Sequence, residues 1–200
     1  MTTLLLIRHG ENDYVKKGRL AGWLPGVHLN ENGRKQAEAL VARLQPVKLD
    51  AIYSSPLERA TETAAPLAKA RTLPIVKRPD LGEVRYGQWT GKSLKVLNRT
   101  KLWPVVQHRP SLMRFPDGES FLEVQLRATR ELQRLCAAHP KGIIAAVSHA
   151  DVIKLVVAHY LGMHLDLFQR LHIHPASVTV LHVDERHAAL MKLNDTGPAG

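Results

Sequence analysis

The run Leu4-Leu5-Leu6-Ile7-Arg8-His9-Gly10-Glu11 constrains this chain more than any other stretch, because four consecutive aliphatic residues stop abruptly at an arginine, a histidine and a glycine. An unbroken apolar run of strand formers predicts a strand buried on both faces, as inside a parallel sheet. Open α/β sheets place their ligand crevice at the carboxyl edge of such strands, so these three residues make a candidate anion-handling site. Taken alone, Arg-His-Gly is also what chance can put at a strand end. A second run, Gly142-Ile143-Ile144-Ala145-Ala146-Val147, ends in Ser148-His149-Ala150-Asp151 and leads into a helical stretch holding Val152, Ile153, Leu155, Val156 and Val157. Two strand-ending histidines are harder to dismiss than one.

Between these runs the chain alternates strand and helix signals. Residues 12–29 form a glycine-punctuated stretch longer than a simple connection needs, which favours a binding loop. Asn30 reads as a helix N-cap, with Ala37, Leu40, Val41 and Leu44 at helical spacing up to Pro46. Residues 49–53 and 73–77 are predicted strands, the latter short because prolines flank it. In Ser54-Ser55-Pro56-Leu57-Glu58-Arg59, Ser55 and Glu58 fit a capping box and Pro56 fits the first helical position, which places Arg59 in the first turn. A cation is unfavourable beside the positive end of a helix dipole, so this placement suggests that an anion joins it. Residues 119–138 are predicted as a long helix with Phe121, Val124, Leu126, Leu132 and Leu135 on its apolar side. Residues 177–183 and 188–193 read as a hairpin bridged by Asp184-Glu185-Arg186-His187, and residues 196–200 as a disordered tail. No repeat, linker or low-complexity stretch marks a second domain, so one domain over residues 1–200 is expected.

Charge then narrows the partners. The net charge of +10 favours an anionic partner, whether nucleic acid, a membrane surface or a phosphorylated small molecule. Residues 84–115 hold seven cations (Arg85, Lys92, Lys95, Arg99, Lys101, Arg109, Arg114), no Asp or Glu, and both Trp89 and Trp103. Without an RNP-like motif, zinc finger or basic tail, this stretch reads as a solvated face or a phosphate-attracting lid, a lid-like excursion over about 84–118, and not as a nucleic-acid platform. A hydrophobic share of 44% argues against wholesale disorder. The apolar run at the amino terminus is broken by Arg8 and no stretch of about 18 apolar residues follows, so no membrane association is expected. Cys136 is the single cysteine, so no internal disulfide forms; a reducing, cytoplasmic setting and a buried inert thiol are expected. His172-Ile173-His174 has spacing compatible with a metal, but no third ligand is evident and no metal site is assigned. His108, His139, His159, His164, His182 and His187 read as solvated or packed.

Five segments now form a set. Arg8-His9-Gly10-Glu11, the block from Tyr53-Ser54-Ser55-Pro56-Leu57-Glu58-Arg59 through Ala60-Thr61-Glu62-Thr63-Ala64, Leu81-Gly82-Glu83 with Gly87-Gln88-Trp89-Thr90-Gly91, Phe115-Pro116-Asp117-Gly118-Glu119-Ser120, and Val147-Ser148-His149 together resemble the histidine phosphatase superfamily, in its phosphoglycerate mutase-like branch. The resemblance runs in the family's order over about residues 4–161. It implies an α/β three-layer sandwich, a mixed, mostly parallel sheet with helices on both faces, and metal-independent phosphomonoester hydrolysis through a phosphohistidine, with no cofactor. His9 matches the nucleophile, Arg8 and Arg59 the arginines that grip the phosphoryl oxygens, His149 the second pocket histidine and Glu83 the proton donor. Gly10, Asn12, Arg19, Gly22, Tyr86 and Ala150 are the expected substrate contacts, the substrate being a small phosphorylated metabolite; a homodimer is compatible with this reading.

The chemistry of the residues supports those roles. Imidazole attacks phosphorus only while one nitrogen is unprotonated, and Arg8, Arg59 and a charged His149 are expected to oppose a proton on His9. Guanidinium groups suit a loose phosphoryl-transfer transition state whose charge lies on three equatorial oxygens. The same cations are expected to keep Glu83 ionised until a dianionic phosphate arrives and raises its pKa. The chain departs from the family pattern in having Ala150 and Asp151 after the second histidine, where glycine commonly follows, and Val15 where many relatives have a polar phosphate contact. Asp151 is expected to repel phosphate unless it turns away. Gly22-Trp23 resembles a mutase loop, but the chain is shorter than the mutases, which favours a phosphatase. A phosphomutase primed by a bisphosphate, and a phosphate-binding module without turnover, are the alternatives. Trp89 reads as core or pocket wall, and Arg19 and Arg85 as either substrate contacts or surface charges.

Overall fold

The computed structural model describes residues 1–197. Its strands are β1 (Thr2–Arg8), β2 (Ala51–Ser54), β3 (Ile75–Lys77), β4 (Ile143–Ser148), β5 (Val178–Val183) and β6 (Ala188–Asp195), in one sheet of order β3-β2-β4-β1-β5-β6. The β1·β4, β4·β2 and β2·β3 pairs are parallel, while β5 and β6 add to the other side of β1 as an antiparallel hairpin. Asp184 closes that hairpin, its Oδ1 accepting the backbone N–H groups of Arg186 and His187.

Side chains alternate along a strand, so β1 feeds two cores. Leu4 and Leu6 pack with Phe121, Val124 and Leu132 of α6 (Phe121–Ala138) and with Val152 and Val156 of α7 (Ala150–Tyr160). Leu5 and Ile7 pack with Leu40 of α2 (Glu31–Arg43) and with Ala60, Ala64 and Leu67 of α3 (Glu58–Arg71). Helices thus cover both faces of a mixed sheet, the three-layer α/β arrangement expected from the sequence. Each fully buried aliphatic side chain of β1 contributes roughly 1.5–3 kcal/mol, which is why this strand is central and not an edge.

Local signals mostly hold. Asn30 caps α2 by accepting the Gly33 N–H at 2.8 Å. Ser120 and Glu123 form a reciprocal capping box at the start of α6. Three expectations need correction. The proposed capping box at Ser55 does not form: α3 starts at Glu58 with Leu57 at its cap, and the Ser55 hydroxyl is turned toward a histidine described below. Leu126 is 47% exposed, because the buried positions 121, 124, 128, 132 and 135 of α6 define a stripe that leaves 126 on the outer face. The loop over 12–29 contains a short helix, α1 (Asp13–Lys16), capped by Asn12. The basic stretch carries α4 (Leu94–Leu97) and α5 (Trp103–His108) and is anchored by Leu97, Val106, Met113 and Phe115, all buried in the same core as Leu4. Trp89 stacks on Trp103 with ring centroids 6.4 Å apart.

Burial pushes the Cys136 thiol up to about 11, in keeping with an inert thiol. Among the described residues no helix is long and apolar enough to cross a membrane. Of the tail, Thr196 and Gly197 are placed, with the Gly197 N–H donating to Asp195 Oδ1 at 2.8 Å; the rest of the expected disordered tail lies outside the described residues.

The approach of α2 to the loop after β1 is tight enough to test. A Cβ on Gly33 would overlap the Glu11 carbonyl oxygen, and one on Gly10 would lie 2.6 Å from the Gly33 carbonyl oxygen. Because backbone must move to relieve such an overlap, Gly33→Ala is expected to cost about 1–3 kcal/mol and lower Tm by roughly 2–12 °C in scanning calorimetry. An unchanged Tm would show that the loop yields freely.

Candidate active site

The register of the two central strands builds the site. Arg8 of β1 lies opposite Ser148 of β4, so His9 and His149 leave the sheet side by side at its carboxyl edge. Their rings meet edge to face with centroids 5.1 Å apart, and the His9 backbone N–H donates to the Ser148 carbonyl at 2.9 Å.

His9 is buried, and its Nδ1 lies 2.7 Å from the Gly10 carbonyl oxygen. A carbonyl can only accept, so Nδ1 carries the hydrogen and Nε2 keeps its lone pair. Burial first, then Arg59 and Arg8, hold the imidazole pKa well below the usual histidine value. The sequence reading gave the cations this role; the structure gives burial the larger share. His149 is also held well below its usual value, by burial and then by Arg59 and His9. It is therefore neutral, contrary to the expected charged form. Its Nε2 donates to the Ser55 hydroxyl at 2.8 Å, which leaves Nδ1 free to accept from Arg59 Nη2 at 3.4 Å. That use of Ser55 explains the missing capping box.

The guanidinium groups come from opposite sides. Arg59, in the first turn of α3 and 1% exposed, donates through Nη2 to the Gly22 carbonyl at 2.8 Å, and Gly22 takes a φ of 53° to present it. Arg8 donates through Nη1 to the Ile173 carbonyl at 2.6 Å. Arg59 Nη1, Arg8 Nε and Asn12 Nδ2 are buried without a hydrogen-bond partner among the described residues. An unmet buried donor costs roughly 1–3 kcal/mol, and all three belong to residues that line the cavity containing His9, whose volume is about 460 Å³. Three such donors on residues that line one cavity with a lone-pair nitrogen suit an oxyanion.

Glu83 follows the 3-10 turn Pro79–Leu81 and is held by its backbone: Trp23 Nε1 and Arg127 Nη2 donate to its carbonyl at 2.5 and 3.0 Å. Arg127 also grips the carbonyls of Asp80 and Gly82, so the whole turn is fixed from α6. The Glu83 carboxyl accepts the Val84 N–H at 3.0 Å and lies 3.7 Å from His149 Nδ1. Burial, followed by the nearby charge of Asp151, raises its pKa to about 7 against the opposing pull of Arg59 and Arg8. The expectation that the cations keep it ionised is thus overturned: desolvation of a buried carboxyl outweighs them before any phosphate arrives.

Asp151 does line the cavity, but it is engaged there. Its carboxylate accepts the Tyr86 hydroxyl at 3.1 Å and pairs with Lys154 Nζ at 3.2 Å. Of the remaining expected contacts, Arg19 lines the cavity while bonding the Gly91 carbonyl, and Tyr86 and Ala150 form its wall. Gly10 and Gly22, also expected as contacts, do not line the cavity: the Gly10 N–H donates to Thr63 Oγ1 at 2.9 Å, and the Gly22 carbonyl accepts from Arg59. Val15 also lines the cavity, whereas Arg85 lies over the Trp23 ring, 3.9 Å from its centroid, outside the lining. His172 and His174 are exposed at the cavity wall; among the described residues no group of three or more His, Cys, Asp or Glu is placed to hold a metal. Sequence reasoning missed Ser55, Thr63, Arg127 and Lys154 as site-building residues. Ser55 and Thr63 lay inside a quoted motif, and Lys154 stands three residues after Asp151 in a helical stretch, a spacing that could have signalled the pair; nothing in the chain signals Arg127, whose carbonyl partners are distant in sequence.

Comparison with known proteins places this geometry. The family model described as histidine phosphatase superfamily (branch 1) matches residues 4–196. The chain is 32% identical to phosphoserine phosphatase 1 of Hydrogenobacter thermophilus, over 98% of this chain and 93% of that one. Among solved structures it is similar to Bacillus stearothermophilus YhfR, with a TM-score of 0.91 at 32% identity, covering 98% of both chains. It is also similar to phosphoserine phosphatase of Entamoeba histolytica, solved in complex with 3-phosphoglyceric acid, with a TM-score of 0.88 at 26% identity and 98% of each chain covered. The likeness spans both strand-ending histidines, both arginines and the carboxyl between them, and the chain belongs to the histidine phosphatase superfamily, branch 1.

Proposed function

We propose that this protein is a metal-independent phosphomonoester hydrolase that acts on a small phosphorylated metabolite through a phosphohistidine on His9. The observation that carries the reading is a neutral, buried imidazole with its Nε2 lone pair free, in a cavity also lined by the residues of three buried donors that have no partner among the described residues. In the first step Nε2 attacks phosphorus while Arg59, Arg8 and Asn12 bind the equatorial oxygens. The ester P–O bond breaks, and the leaving alkoxide takes the Glu83 proton and departs as the alcohol. In the second step the Glu83 carboxylate takes a proton from water, which attacks the phosphohistidine and releases inorganic phosphate, restoring both groups. His149, neutral and bonded to Ser55, adds a fixed dipole beside the phosphoryl group and no competing charge. The segment over 84–118 supplies the roof of the cavity and is proposed as the part that encloses the leaving group. Hydrolysis is favoured over phosphomutase chemistry by the likeness, over 98% of this chain, to proteins named phosphoserine phosphatase.

The reading is tested by pH. Turnover needs His9 unprotonated, which holds down to below the usual histidine range, and Glu83 protonated, which fails as pH rises through about 7. For an alkyl phosphate, kcat/KM is therefore expected to fall on the alkaline side of about pH 7. Glu83→Gln should flatten that limb and cost about 10²–10⁴ in rate below it, with a much smaller loss for an aryl phosphate, whose phenolate leaves unaided. A profile unchanged by Glu83→Gln would remove Glu83 from the mechanism.

A further inference from the structure

We propose that the Asp151–Lys154 pair reads the leaving group and selects phosphomonoesters that carry an ammonium beside a carboxylate, as a phosphorylated amino acid does. The inference deepens the phosphatase reading and rests on it. Both side chains line the cavity, from the helix whose first residue follows His149, so they stand next to the phosphoryl position, on the path of whatever is esterified to it. Both are largely shielded from solvent, with 21% and 15% of their side chains exposed, and both are fixed: Asp151 by the Tyr86 hydroxyl, Lys154 by Gln169 Oε1 at 3.2 Å.

Their hydrogen-bonding capacity is not used up. Each Asp151 oxygen accepts one bond and can accept a second, and Lys154 donates two of its three hydrogens. The pair therefore presents one acceptor anion and one donor cation 3.2 Å apart, the complement of an α-amino acid head group. A lone carboxylate in a phosphate pocket would repel an anionic substrate; an ammonium on that substrate turns the same contact into attraction. Leu94, Trp103, Val106 and Phe115 also line the cavity and offer only carbon and indole surfaces, while Arg19 in the same lining is held by the Gly91 carbonyl. Asp151 also raises the pKa of both Glu83 and Tyr86, as expected of a charge beside the reacting groups.

The test compares O-phospho-L-serine with 3-phospho-L-glycerate, which differ only in ammonium for hydroxyl, and adds O-phosphoethanolamine, which keeps the ammonium and lacks the carboxylate. The wild-type protein is expected to prefer the amino acid over the hydroxy acid by at least about tenfold in kcat/KM, since a site built for one polar group discriminates against its replacement. Asp151→Asn should shrink that ratio to within about threefold, whatever its absolute activity, because a neutral amide loses most of the preference for a cation. Lys154→Met should lower the ratio of phosphoserine to phosphoethanolamine by about tenfold. Wild-type protein that hydrolyses aryl phosphate but treats the two acids alike, or an Asp151→Asn ratio equal to wild type, overturns the inference and leaves the phosphatase reading standing. Failure to hydrolyse any phosphomonoester, aryl phosphate included, overturns both.

Discussion

Exchanging His9 for alanine is expected to reduce phosphate release by at least about 10⁴-fold and to leave no acid-labile phosphate on the protein after rapid quenching. The size of the effect follows from the division of labour at the site. Arg8, Arg59 and Asn12 remain in place in the variant, so it should still bind inorganic phosphate with an affinity within about tenfold of wild type by calorimetry, a contact that needs no nucleophile. What is lost is the cavity-lining imidazole nitrogen that burial and two guanidinium groups keep unprotonated. Water could reach phosphorus in the emptied space, but Glu83 is placed beside His149 and is bound to deliver a proton to the departing oxygen before it can activate water. Turnover of the variant at the wild-type rate would move the nucleophile elsewhere.

Arg59→Ala is expected to lower kcat/KM by about 10³–10⁵, the range of a cation that stabilises a transferring phosphoryl group. Two further changes should accompany it. Arg59 is the largest of the charges holding down the His9 pKa, so its removal raises that pKa and shifts the acid limb of the pH profile upward. The Gly22 carbonyl also loses its donor, which loosens the turn over the cavity. Arg59→Lys should not restore activity, because an ammonium cannot hold the Gly22 carbonyl with one arm and a phosphoryl oxygen with the other. Equal activity in the lysine variant would reduce Arg59 to a point charge.

Much of this site could be read from the chain, and the reason is geometric. A strand buried on both faces must be apolar throughout, so Leu4 to Ile7 and Ile143 to Val147 announce themselves, and the polar residues that end them must stand at the sheet's edge. Arg59 was placed in the first helical turn by its neighbours, even though the cap assigned to Ser55 is absent. What could not be read was competition between distant residues. Ser55 has a good capping signature, but His149, just past the end of β4, claims the hydroxyl. The order of effects on the titrating groups was equally hidden: Arg8 and Arg59 are visible as charges, whereas the depth at which His9, His149 and Glu83 lie is visible only once two cores have closed around them. Arg19 and Arg85 look alike in sequence, yet one lines the cavity and the other covers an indole. Asp151 looked like an obstacle because Tyr86, 65 residues away, does not announce that it will meet it, although Lys154 at helical i,i+3 spacing could have.

The position of β1 between β4 and β5 has a consequence for how the molecule is made. Thr3 pairs with Ile143 on one side and His182 on the other, so β1, once made, waits for about 140 further residues before either flank is satisfied. At translation speeds of about 5–20 residues per second, that wait lasts from several seconds to half a minute. During it, an aliphatic ribbon with two open edges is available to chaperones or to another nascent copy, and the long loops that must close make the final collapse slow. A premature stop between Glu83 and β4 yields a polypeptide that carries Arg8, His9, Arg59 and Glu83 but lacks His149 and the strand that joins β1 to β2.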